Sequence, residues 1–390
     1  MRFVSALFGL VIAHTLLFAQ QADRFAGVAP RMQEFVDKGE ASGIVTLIAG
    51  KDRILHIGAA GTTEMDGERK MRTDDIFWIA SMSKPITAVC IAVLADDGKL
   101  SFDDPLAKHL PEFAEVMVSE KGQRIKPSRP ITLRDVLTHT SGLGDMTNRE
   151  AHLTLAETSK RLSQQPLRFQ PGSRWAYSTA GIDILGRVVE VAGGVPFDQF
   201  LQKRVLDPLG MKDTSFWIAP EKQTRYARSY RWNAQAGKLE PTTIPYLYRT
   251  AVTDRDRPPL GGAGLFSTAE DVARFYQMML GGGSFNGKRI LKPATVAEMT
   301  RKQTGDLTAR PGMPWGLGFS VVEDPAKMAA NSVLSAGSFG HGGAFSTQSW
   351  ADPLRNLIWI VMFQRDGKGN PDNSDVRIAF QEAAVKGLGQ

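Results

Sequence analysis

The sequence predicts an α/β fold in which an antiparallel sheet, assembled from both chain ends and flanked by helices, receives an inserted, mostly helical lobe. Three observations predict it. Strand-like runs cluster near residues 44–60 and again at 316–363. The stretch between, from about 100 to 258, has little strand signal and a succession of helix-spaced apolar residues. The most apolar run beyond the N-terminus, Ile86 to Leu94, is apolar on every side of a helix, which is the mark of a buried one. The sheet lobe then takes about 21–75 and 310–390, and the helical lobe about 76–309, of a single domain spanning 21–390.

Composition supports a large folded domain. The 390 residues are 42% hydrophobic and 23% charged, which is neither a disordered nor a fibrous composition. The net charge of +6 is spread along the chain without a Lys/Arg block, so no nucleic-acid partner is inferred. Residues 1–20 read as a secretory signal. Arg2 precedes an apolar run from Phe3 to Phe18, and Ala19 supplies a small residue for cleavage. The run is short for a membrane span, which needs about 20 apolar residues. The expected location is secreted or periplasmic, with an uncleaved anchor as the alternative. Cys90 is the single cysteine, so no internal disulfide can form, and its apolar neighbours mark it as a core residue.

In chain order, Phe25, Val28, Met32, Phe35 and Val36 have helical spacing over 23–38. Residues 44–49 and 53–60 form a hairpin around Gly50-Lys51-Asp52. A helix begins near Ser81 or Met82 and ends at Asp96-Asp97-Gly98, with Gly98 as a left-handed cap. Asp103 to Leu106 starts a short helix. Thr132 caps another over 131–137, with Asp135 in the capping-box position. His139-Thr140-Ser141-Gly142-Leu143 reads as a turn in which His139 is structural. Helices are expected over 151–163, 178–191 and 197–205, with short strands or extended loops over 230–252. Ser267 and Glu270 read as the capping box of a helix over 268–280, and 293–301 as a further helix. The glycines at 261–264 lack the Lys-Ser/Thr that a phosphate cradle requires. Strands are expected at 316–322, 344–350 and 357–363, then a polar loop at 367–374 and a closing helix over 375–386.

The chemistry centres on Ser81 and Lys84. Residues i and i+3 share a helix face, so the lysine nitrogen lies beside the serine hydroxyl. A serine is a weak nucleophile without such a neighbour. Pro85 suits the first helical turn, where its missing N–H has no intrahelical partner to lose, and Ser81 then sits at the positive end of the helix dipole. A lone S-x-x-K is common by chance, but two further signals follow it: Tyr177-Ser178 before a helix, and His341-Gly342-Gly343 before a strand.

In that order the three signals resemble the motifs of the serine β-lactamase and penicillin-binding protein superfamily. The closest branch holds class C β-lactamases, D-aminopeptidases and family VIII carboxylesterases. The resemblance runs from about Phe25 to Phe380 and implies a β-lactamase/transpeptidase-like fold. It implies that Ser81 is the acylated nucleophile and that Lys84 lowers the serine's proton affinity or takes its proton. Tyr177 is the family's general-base tyrosine, made competent by the charge of Lys84. The N–H groups of Ser81 and Ala344 form the oxyanion hole, and Thr179, His341, Gly342 and Gly343 touch substrate. It implies no cofactor. No H-E-x-x-H or Cys/His cluster points to a metal, and no G-x-S-x-G elbow points to an α/β-hydrolase.

Two departures bear on substrate. Thr179 stands where the family usually has an asparagine that grips a substrate amide. His341 stands where many members have a lysine that helps bind a carboxylate. Both lean toward uncharged esters. The expectation is an exported serine hydrolase acting on short-chain esters through an acyl-enzyme. A β-lactamase or D-amino-acid peptidase is the alternative on the same scaffold. A protein that acylates and stalls, or only binds penicillin or peptidoglycan fragments as a sensor, is the alternative of another class. Trp175, Trp315, Trp350 and Tyr246 are candidates for lining an acyl pocket.

Overall fold

The strand runs from the two chain ends meet in one sheet. The computed structural model describes residues 24–146, 150–328, 333–368 and 374–389. The expected signal segment, and part of the 367–374 loop, lie outside the described residues. The sheet strands are β1 (Gly43–Ala49), β2 (Ile54–Gly61), β3 (Ser320–Val321), β4 (Phe339–Gly342), β5 (Gln348–Asp352) and β6 (Leu357–Met362). They lie in the order β3-β4-β5-β6-β1-β2, and every neighbouring pair is antiparallel. Leu47, at the middle of β1, faces Ile57 on one side and Ile360 on the other.

Side-chain alternation divides the core. Val45, Leu47, Ile358, Ile360 and Met362 point to one face of the sheet, and Ile44, Ile48, Trp359 and Val361 to the other. Helices α1 (Val28–Asp37) and α6 (Asp375–Gly387) cover the second face with Met32, Phe35, Val376 and Phe380. Helices α2 (Ser83–Asp96) and α5 (Ala269–Leu280) belong to the larger cluster on the first face, and α2 packs against α4 (Thr179–Gly193). Because β1, β5 and β6 are buried on both faces, their sequences show little polar alternation.

Residues 83–94 of α2 are all buried, as an all-round apolar helix requires. The helix ends before Gly98 in the left-handed region, at φ 72°. Helix α3 (Leu133–Leu137) carries the full Thr132/Asp135 capping box. A second capping box, Thr154 with Glu157, starts the next helix at Leu155, a few residues later than the apolar spacing predicts.

Several expectations are corrected. The cap of α5 is Thr268, whose side chain accepts from the Asp271 N–H. Ser267 Oγ instead meets Thr214 Oγ1, and Glu270 pairs with Arg274. The 316–322 strand shrinks to Ser320–Val321, because Gly318 turns the chain at φ 81° and gives its N–H to Leu137 O. The 344–350 strand begins only at Gln348. Gly343 N–H closes onto Thr347 O, and Ser346 sits at φ 78°, so the apolar-looking Ala344-Phe345 is a tight turn. His341 and Gly342 accordingly lie inside β4, opposite Ser349 and Gln348, and not ahead of a strand. The 197–205 helix changes pitch at Gln202, where a π-helical turn takes over.

Candidate active site

Ser81 stands on a short 3₁₀ turn, Ala80–Met82, that feeds directly into α2. The approach is fixed by a two-residue pairing of Phe77-Trp78 with Phe266-Ser267. Ile79 N–H then donates to Leu265 O at 3.0 Å, and Leu265 N–H to Ser83 Oγ at 3.1 Å. Ala80 takes the left-handed region at φ 49°, which is uncommon for a residue with a Cβ and occurs here immediately before the serine. Packing on both sides holds it there, because Ala80 and Ile79 are fully buried.

Lys84 is also fully buried, and its Nζ lies 3.1 Å from Ser81 Oγ, 3.4 Å from Thr179 Oγ1 and 2.6 Å from Gly262 O. The carbonyl can only accept, so one lysine hydrogen is committed there. Thr179 Oγ1 can take a second. The third direction faces Ser81, where the nitrogen either donates as an ammonium or receives the serine proton as an amine. Gly262 is itself anchored: its N–H donates to Asp183 Oδ1 at 2.7 Å, and Tyr246 OH donates to Asp183 Oδ2 at 2.5 Å. A Cβ on Gly262 would lie 2.6 Å from Thr179 O, so only glycine allows this approach to α4. Asp183 is one helix turn beyond Thr179, which aligns the two on α4.

Tyr177 places its ring centroid 4.6 Å from Lys84 Nζ, a cation–π distance. Its hydroxyl lies 3.4 Å from His341 Nε2. His341 Nδ1 is 2.7 Å from Gly342 O, so Nδ1 carries the proton and Nε2 is left to accept from Tyr177. His139 lies under Tyr177, with ring centroids 4.5 Å apart, and takes φ 61° in the turn expected for it. Its Nδ1 accepts from Ser178 N–H at 3.3 Å. Burial first, and then the proximity of Lys84 and His341, hold its pKa well below the usual histidine value, so it is neutral. Asp145 Oδ1 accepts the N–H groups of Thr179 and Ala180 at the start of α4.

The turn after β4 completes the geometry. Ala344 lies at its exposed corner and lines the same cleft as Ser81. The turn is held from behind by α6: buried Arg377 donates to Gly343 O at 3.1 Å and Thr347 O at 2.7 Å. Ser346 Oγ donates to Arg365 O at 2.7 Å.

The cleft measures about 330 Å³, within the range of small-molecule sites. Ser81, Tyr177, His341, Gly342, Gly343 and Ala344 line it, together with Trp175, Trp315 and Arg310. Lys84 and Thr179 stand behind Ser81. The two tryptophans are therefore cleft residues. Trp350 is not: it is fully buried in the core on the α1–α6 face of the sheet. Tyr246 is not a lining residue either, and instead stacks on Trp78 and holds Asp183. Reading the sequence missed Asp183, Arg310 and Arg377. A lone carboxylate in the apolar run Ile182-Asp183-Ile184 was the available signal for the first; the two arginines carried none. Cys90 is fully buried, which pushes its thiol pKa up and makes it unreactive. Among the described residues, no group of three or more His, Cys, Asp and Glu side chains could hold a metal.

Comparison with known proteins agrees with this architecture. Residues 28–384 match the Beta-lactamase family. The chain is 31% identical to esterase EstB of Burkholderia gladioli over 86% of its length and 90% of that protein's. It is 31% identical to the lovastatin esterase of Penicillium rubens, covering 75% of this chain and 78% of that one. Among solved structures, EstCE1, described as a hydrolase with promiscuous acyltransferase activity, superposes with a TM-score of 0.80 at 27% identity, over 95% of this chain and 99% of that one. With the paired sheet from both chain ends and a match spanning nearly the whole molecule, this chain belongs to the β-lactamase family and is a serine hydrolase of that fold.

Proposed function

We propose that the protein is a carboxylesterase that hydrolyses short-chain esters through an acyl-enzyme on Ser81. The observation that carries this reading is the contact of Lys84 Nζ with Ser81 Oγ at 3.1 Å, beside a cleft where Thr179, next to Lys84, and His341, in the lining, hold neither a carboxamide nor an ammonium. Relatives and a structural neighbour named as esterases and a hydrolase support it.

In the proposed cycle, Gly262 O and Thr179 Oγ1 take the two hydrogens of a neutral Lys84 amine, and its lone pair receives the Ser81 proton. Ser81 Oγ bonds to the ester carbonyl carbon, and the carbonyl oxygen becomes an oxyanion held by the N–H groups of Ser81 and Ala344. Each such donor in a water-poor site lowers the barrier by about 3–4 kcal/mol. Collapse breaks the bond to the alcohol, which leaves with a proton passed from Lys84 through Tyr177 OH. Water then attacks the acyl carbon, its proton returns along the same pair to Ser81 Oγ, and the acid departs. His341 Nε2 orients the Tyr177 hydroxyl for this exchange.

The test is hydrolysis of p-nitrophenyl acetate and butyrate, with a burst of nitrophenol that disappears in Ser81→Ala. Absence of turnover by the purified wild type sinks the reading. Nitrocefin and a D-Ala-D-Ala peptide in the same panel decide between ester and amide chemistry: preferential turnover of either would establish the β-lactamase or peptidase alternative. A long-lived penicillin adduct without turnover of any ester would establish a sensor. Export is proposed on the apolar run that follows Arg2, and an N-terminal sequence of the protein recovered outside the cytoplasm tests it.

A further inference from the structure

Tyr177 stands in an irregular stretch, residues 174–178, so no helix or strand ladder fixes its backbone. His139 fixes it instead. The carbonyl of His139 accepts the Ala176 N–H at 2.9 Å, and its Nδ1 accepts the Ser178 N–H at 3.3 Å. The residues on either side of the tyrosine are thus tied to one histidine, whose ring centroid also lies 4.5 Å from the tyrosine's. Because Nδ1 accepts, Nε2 carries the proton of the neutral ring. That N–H is buried and meets no hydrogen-bond acceptor among the described residues; the ring stands edge-on to Trp175 and Trp315. A buried polar group without a partner is costly, and an all-carbon ring would fill the same place without it. What the imidazole adds over such a ring is the Nδ1 acceptor that Ser178 uses.

We propose that His139 is a positioning residue, which holds the Tyr177 hydroxyl where it passes a proton to the departing alcohol. This rests on the esterase reading above. His139 does not line the cleft and acts only through Tyr177. Tyr177 has Lys84 Nζ 4.6 Å from its ring centroid and His341 Nε2 3.4 Å from its hydroxyl. A backbone shift of about 1 Å would break its alignment with both, a displacement that can cost about 10²-fold in rate. The demand for this proton depends on the leaving group. Ethoxide leaves only with a proton, whereas nitrophenolate departs as a stable anion. Removing the clamp therefore spares acylation by nitrophenyl esters and impairs acylation by ethyl esters. A general loss of packing would impair both.

Ethyl butyrate turnover and the nitrophenol burst from p-nitrophenyl butyrate are measured in His139→Gly and His139→Asn, alone and combined with Tyr177→Phe. Glycine and asparagine both accept the φ of 61° at this position, and asparagine keeps an acceptor near the place of Nδ1. In His139→Gly, kcat for ethyl butyrate is expected to fall about 10²-fold with KM within about twofold, while the burst rate falls less than about threefold. His139→Asn should recover most of the loss. Beside Tyr177→Phe, which lacks the hydroxyl to be placed, neither replacement should cost more. His139→Ala takes the place of the glycine variant if that chain does not fold. An undiminished kcat in His139→Gly, equal loss with both esters, a loss that multiplies that of Tyr177→Phe, or an asparagine variant no better than glycine overturns the proposal. A wild type that turns over no ester but is acylated by penicillin overturns the esterase reading alone. The acylation rates of the same variants, read by intact mass, then decide the role of His139, because the lactam nitrogen also leaves with a proton. No acylation by any of these compounds overturns both.

Discussion

Thr347 Oγ1 donates to the carbonyl of Ile79 at 3.3 Å, and so ties the turn that carries Ala344 to the turn that carries Ser81. The two proposed oxyanion donors come from segments more than 260 positions apart in the chain, yet they share one seam. Gly343 lies in that seam. A Cβ there would fall 2.0 Å from Thr347 Oγ1 and 2.6 Å from Ile79 O. Gly343→Ala must push the turn off the serine. Its kcat for p-nitrophenyl butyrate is expected to fall about 10²-fold or more, the range for losing one oxyanion donor. A wild-type kcat in Gly343→Ala would show that the seam does not set the reacting geometry.

Arg377 holds the same turn from the opposite side without lining the cleft. Arg377→Ala should lower kcat about tenfold or more and leave KM nearly unchanged, since misplacing a donor weakens the transition state more than substrate binding. Added guanidinium should restore part of kcat. A change confined to thermal stability, with full kcat at low temperature, would reduce Arg377 to a packing role.

Asp183 accepts from both Gly262 N–H and Tyr246 OH. Tyr246→Phe removes one of these bonds and should cost about 1 kcal/mol of stability. Asp183→Ala leaves the Gly262 N–H and the Tyr246 hydroxyl without this acceptor and should cost more, about 1–3 kcal/mol per stranded group. It should also lower kcat, because Gly262 O directs Lys84. Urea unfolding and steady-state kinetics on the two variants check the order; equal losses would contradict it.

Asp271 provides a pH signature away from the cleft. Burial pushes its carboxyl up to about 6, although Asp213 N–H and Thr214 Oγ1 both donate to its Oδ2. The folded chain therefore holds this proton more tightly than the unfolded chain. That contribution is fully present below pH ~4 and is lost as pH rises through about 6, a change of about 3 kcal/mol at most. His139 acts with the opposite sign: its depressed value means that stability falls as pH drops below ~6.5 and the unfolded imidazole takes up a proton. Asp271→Asn should remove the first slope and leave the second, so its stability between pH 4 and 6 should rise with pH more steeply than the wild type's. Parallel curves would show that Asp271 does not titrate in this window.

Much of this was legible because the residues involved obey a local period. Leu357 to Met362 is apolar enough to read as a doubly buried strand, and Thr132 with Asp135 announces a helix start by spacing alone. Ser81, Lys84, Tyr177 and the His341-Gly342-Gly343 run were legible as types in an order, and the folded chain brings them to one cleft. What stayed hidden depends on contacts between distant segments. Ala344-Phe345 looks like strand because nothing local reports that Ser346 turns left-handed under Arg365. Arg377 looks like an ordinary helix arginine until the carbonyls of a turn 30 residues earlier meet it. Ser267 reads as the cap because Glu270 follows three residues on, but Asp271 stands in the same relation to Thr268, and Ser267 Oγ is engaged with Thr214 instead.

The seam between Ile79 and Thr347 also sets an order in time. During synthesis Ser81, Lys84 and Tyr177 leave the ribosome while the segment from His341 to Arg377 is still unmade. A nascent or C-terminally clipped chain can display the serine and its lysine, but it lacks the turn that would seat a substrate against them. The chain thus acquires its complete cleft only when its last helix docks.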